Sequence, residues 1–160
     1  MSKKDEARSR ALRDALGALG YPGLMNLFTE MEAEYNHDPA VVLTAALTCD
    51  NLDDRVIEAL PWLVLRFPNL DWAWVVRESR SRNTQNRLGF VVTTALRVGA
   101  SCYGNEELLM KLSAIEESLF EIRLEKEDTL CRRLATAERE WLREARPAEA
   151  RQWNLLTDLN

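Results

Sequence analysis

Apolar residues recur at every third or fourth position along almost the whole chain, and no stretch sustains period-two alternation. That spacing places apolar side chains on one face of successive helices, so it predicts an all-α fold. Only 5 prolines and 6 glycines punctuate the 160 residues, which disfavours a turn-rich β-sandwich. The length suits one domain spanning 1–160, large enough to bury a core without disulfide or metal staples.

The pattern divides into eight or nine helices. Residues 6–19 carry Leu12, Leu16 and Leu19 on one stripe, stopped by Gly20 and Pro22. Residues 23–35 place Leu24, Leu27, Phe28, Met31 and Tyr35 at helical spacing. Asp38-Pro39 opens a helix running to Thr48, with Asp as N-cap and Pro at the first helical position. The next, 53–66, contains Pro61, and a kink is expected there. Further helices are expected over 71–80 and over 84–98, the latter capped by Asn83 or Thr84, with Gly99 and Gly104 bracketing a turn. A long helix over 105–127 follows, then one capped by Thr136 and a short one opened by Pro147. The tail Leu155-Leu156-Thr157-Asp158-Leu159 is too apolar to be free and is expected to dock.

One internal echo is visible. Arg55-Val56-Ile57-Glu58-Ala59-Leu60 and Arg87-Leu88-Gly89-Phe90-Val91-Val92 each open an apolar helix face after an Asp- or Asn-containing turn, 32 residues apart. Over roughly 33–98 the pair resembles the HEAT-type repeat, which implies a short, irregular stack of helical hairpins. HEAT periods run to about 40–47 residues, so a plain irregular bundle stays open beside it.

Several chemistries are excluded or disfavoured. The single histidine, His37, rules out multi-histidine metal sites and leaves one residue for any proton relay. Glu34 and His37 form one Glu-x-x-His, whereas a di-iron bundle needs two on two helices. No phosphate-binding glycine loop, zinc-protease motif or nucleophile elbow occurs. Acid pairs such as Glu30/Glu34 and Glu117/Glu121 read as solvated helix faces. Cys49, Cys102 and Cys131 form no C-x-x-C and read as small apolar residues. We therefore expect no enzyme, no cofactor and no metal. The N-terminus lacks a signal-peptide core, and apolar runs such as Ala59–Leu65 fall far short of the roughly 18 residues of a membrane span. A cytoplasmic chain without membrane contact is expected.

The charge distribution says more than its total of -5. Residues 15–58 hold eight acids and one arginine, and 106–128 hold eight acids and three bases. Between them lies a segment over 77–87 with four arginines and one acid, interleaved with Asn, Gln, Ser and Thr. The candidate binding residues are Trp74, Arg77, Arg80, Arg82, Asn83, Gln85, Asn86 and Arg87. Three readings compete: the segment pairs with its own acidic faces, it docks an acidic or phosphorylated protein partner, or it binds nucleic acid. Arginine's planar fork suits carboxylates, while Asn, Gln and Arg also read phosphates and base edges. Trp74 cannot share a helix face with Trp72, and the core stripe continues from Trp72 through Val75 and Val76, so Trp74 is the exposed candidate.

The expected function is a non-catalytic regulatory protein–protein interaction module. The alternative is a DNA- or RNA-binding regulator, or an antitoxin-type protein, using the same arginines. An enzyme without a recognisable motif ranks third. Leu108, Leu112, Ile115, Leu119 and Ile122 are spaced 4, 3, 4, 3, which reads either as a helix packed within its own bundle or as a homodimer seam.

Overall fold

The computed structural model describes residues 1–22, 38–102 and 105–159. The helix expected over 23–35, the Glu30/Glu34 pair and His37 lie outside the described residues, as do the Cys102 side chain and Gly104. The architecture is all-α. In chain order it comprises α1 (Lys3–Ala18), α2 (Pro39–Thr48), α3 (Asp54–Arg66), α4 (Trp72–Ser81), α5 (Gln85–Cys102), α6 (Glu106–Glu121), β1 (Asp128–Thr129), α7 (Thr136–Ala145), α8 (Ala148–Gln152) and β2 (Leu155–Leu156). Among the described residues, no helix is long and apolar enough to cross a membrane.

Most helix starts follow from local chemistry. Asp38, Asp53, Asp71 and Asn105 each accept a backbone N–H of the turn they open. At α1, Ser2 and Asp5 exchange side-chain-to-backbone bonds in a capping box. Pro39 occupies the first turn of α2, where its missing N–H costs nothing. Helix α3 continues through Pro61 to Arg66.

Three boundaries depart from expectation. Gly99 lies inside α5 instead of opening a turn; a Cβ there would press on Leu65 and Leu109 at 3.0 and 3.1 Å. The lack of a side chain lets α5 approach its neighbours closely. The long helix stops at Glu121 instead of 127, and Ile122 caps it. Ala135, not Thr136, holds the N-cap position of α7 and makes no side-chain cap.

Helices α1 to α6 and α8 share one apolar core. Helix α2 packs on α3 and on α4, α4 on α5, and α3 on α5. The α2–α3 and α4–α5 hairpins are therefore stacked, first helix beside first and second beside second. Helix α1 adds to α3, and α6 lies along α5. Leu112 and Leu119 are fully buried, while Leu108, Ile115 and Ile122 pack against the core. The 4-3-4-3 stripe thus packs on the chain's own core, as its intramolecular reading expects.

The chain's last segment closes the fold. β2 pairs in parallel with β1, Leu155 opposite Asp128 and Leu156 opposite Thr129. These strands are too short to show a period. The tail docks, with Leu155, Leu156 and Thr157 buried. Trp153 is fully buried across Gly89 of α5, and its indole N–H donates to Thr93 Oγ1 at 2.9 Å.

Candidate functional site

The arginine-rich segment divides into an inward and an outward half. Asn83 adopts φ +58°, a left-handed conformation that Asn tolerates well, and so turns the chain after α4. Thr84 N–H then donates to Ser79 O at 2.8 Å, and α5 begins with its first turn buried. Gln85 Nε2 donates to Ile122 O at 3.2 Å. Asn86 Nδ2 donates to the Leu124 and Trp153 carbonyls, both at 2.9 Å, while its Oδ1 accepts Leu124 N–H at 2.8 Å.

Arg87 lies at the centre of this network, 5% exposed. Its guanidinium forks onto Asp128, with Nε to Oδ2 at 2.9 Å and Nη2 to Oδ1 at 3.1 Å. Nη1 donates to Leu47 O at 2.8 Å and Cys49 O at 3.0 Å, where the dipole of α2 favours a cation. Asp50 adds a longer contact at 3.5 Å. Burial alone would lower the guanidinium's pKa, but hydrogen bonding and attraction to Asp128 outweigh it and raise the pKa, so Arg87 stays charged. Gln85, Asn86 and Arg87 are therefore internal ties, which corrects their placement on a partner surface. The clue was in the spacing: Arg87, Val91 and Ala95 are four apart on the core stripe.

The outward half lies on α4, whose buried face is Trp72, Val75 and Ser79. On one flank, Arg77 and Arg80 are exposed beside a groove of about 590 Å³ between α4 and α6. Ala73, Val76 and Ile122 give that groove apolar walls. Among the described residues, Arg77 and Arg80 make no ion pair. On the other flank, Trp74, Glu78 and Arg82 line a separate groove of about 350 Å³ with Arg8 and Val41. There Arg82 Nε meets Glu78 Oε2 at 3.4 Å, and Trp74 is half-buried against the core, which corrects its expectation as the exposed tryptophan. Asn83 is exposed in the turn between α4 and α5.

One feature lay outside the sequence reading. Trp141 is 61% exposed on α7, although Leu142 beside it is buried. It borders a groove of about 650 Å³ between the start of α3, α7 and the C-terminal tail. Nothing in the sequence ranked it above the other tryptophans.

Nucleophilic chemistry finds little support in the described thiols. Burial pushes the Cys131 thiol up to about 12 and also raises that of Cys49, so both stay protonated at neutral pH. Among the described residues, no group of His, Cys, Asp or Glu is arranged to hold a metal ion. No protein-family model matches the chain, and no curated protein or solved structure matches it.

Proposed function

We propose that this chain is a non-catalytic, regulatory binding protein whose α4–α6 groove docks an acidic segment of a partner protein. One observation carries the reading: Arg77 and Arg80 stand exposed and free of ion pairs among the described residues, beside apolar Ala73, Val76 and Ile122. Arginine's fork binds carboxylates bidentately, and an apolar wall beside it accepts the uncharged face of an amphipathic segment. Nucleic acid is less well served. Gln85, Asn86 and Arg87, which would read phosphates or bases, are turned into the core.

Photo-crosslinking in living cells of the source organism tests this. A photoreactive residue placed at Ala73 should trap a protein with an acidic stretch at the crosslinked peptide, and Arg77→Glu with Arg80→Glu should abolish the product. A nucleic-acid adduct, a product that survives both substitutions, or no product would refute the reading.

A further inference from the structure

We propose a second docking surface of opposite sign: the groove beside Trp141 receives a lysine- or arginine-bearing segment of a partner protein. Asp54, Glu58, Arg132, Glu138, Trp141 and Asp158 line it. Arg132 is already paired with Asp54. Glu58, Glu138 and Asp158 make no ion pair among the described residues, so three carboxylates are left to one groove. Charge complementarity therefore selects a basic occupant. Trp141 adds a large exposed indole, whose face attracts ammonium and guanidinium groups. An exposed tryptophan beside a cleft also has the character of an interface anchor.

The shape of the surface sharpens the occupant. Glu58 and Leu159 also line an adjoining cavity of about 220 Å³ between α3 and α5, whose other walls include Pro61, Trp62, Val91 and Leu130. The acidic groove thus lies next to an apolar hole of side-chain size, with Glu58 and Leu159 shared between them. A segment alternating basic and bulky apolar residues can occupy both, with cations at the carboxylates and one apolar side chain in the hole.

The probe is a short peptide alternating leucine and arginine, followed by intrinsic tryptophan emission and by calorimetry. A leucine–glutamate peptide is the control. The leucine–arginine peptide should bind and perturb emission, and Trp141→Ala should weaken binding and cut that change, Trp62 in the wall of the hole supplying any remainder. Glu58→Gln, Glu138→Gln and Asp158→Asn together should weaken binding by roughly tenfold, since each exposed charge pair contributes a few-fold at most. Neutralising Glu106, Glu107 and Glu117 on α6 should leave binding unchanged, as should Arg77→Glu with Arg80→Glu; the latter separates this surface from the α4–α6 groove. Equal binding of the glutamate peptide would overturn the proposal. So would undiminished binding by the Trp141 or groove variants, or equal weakening by the α6 variant.

Discussion

Replacing Arg87 with methionine is the most informative single test of how this fold is held. Methionine keeps much of the volume but removes two donors from Asp128 and two from the Leu47 and Cys49 carbonyls. Breaking one side of a buried ion pair costs about 3–5 kcal/mol. The Arg87 side chain is 7% exposed and that of Asp128 is 35%, so Asp128 can partly rehydrate and the cost falls toward the lower end, about 3 kcal/mol. Against a total stability of roughly 5–15 kcal/mol this is a large fraction. With a urea slope near 2 kcal/mol per molar, the unfolding midpoint should fall by about 1.5 M at unchanged slope. Emission of buried Trp153 reports the transition. Adding Asp128→Asn should cost less than its effect in the wild-type background, because the two side chains share one interaction. Arg87→Lys should fall between, since lysine keeps the charge without the fork. A loss under about 1 kcal/mol for the methionine variant, or simple additivity with Asp128→Asn, would refute this account of the node.

Three further outcomes are expected. Gly89→Ala should cost about 1–3 kcal/mol, because its methyl would overlap the Trp153 ring; no cost by thermal unfolding would show that the ring can yield. Leu112→Ala and Leu119→Ala should each cost about 2–5 kcal/mol, independently of protein concentration; a concentration-dependent loss in denaturant titrations would point to the homodimer seam instead. Cys131 has its pKa raised by burial from 9.0 to about 12, so its contribution is complete below pH 9 and declines as pH rises toward 12. That part of the stability should fall by at most about 1.4 kcal/mol per pH unit, and a Cys131→Ala variant with the same alkaline profile in urea titrations would contradict it.

What could be read from sequence was what is local. Asp38, Asp53 and Asp71 mark helix starts because the capping oxygen and the amide it accepts lie within three residues. Gly99 misled because its reason for being glycine is the distant pair Leu65 and Leu109. Arg87 misled because arginine suggests a surface, while its register on α5 places it inward and Asp128 arrives from 41 residues away. Trp141 was illegible for a related reason. It and Leu142 are adjacent, and which of the two faces the core depends on how α7 meets the C-terminal tail.

The division of the arginine segment also sets a limit on any nucleic-acid reading. Of its four arginines, Arg87 is paired inside and Arg82 is held by Glu78, leaving Arg77 and Arg80 exposed without an ion pair among the described residues. Two or three phosphate contacts would give a slope of log affinity against log salt near -2 to -3 on duplex DNA. Between 50 and 200 mM salt that is a loss of about 10- to 40-fold, against roughly a thousandfold or more for a protein touching six phosphates. The net charge of -5 opposes even this weak attraction. The expected result of a titration at about 50 mM salt is therefore no measurable duplex binding. Binding with a slope steeper than about -4 would require more phosphate contacts than α4 can supply. It would mean that a nucleic-acid surface lies elsewhere on the molecule, outside the arginine segment, and the expectation of no duplex binding would be refuted.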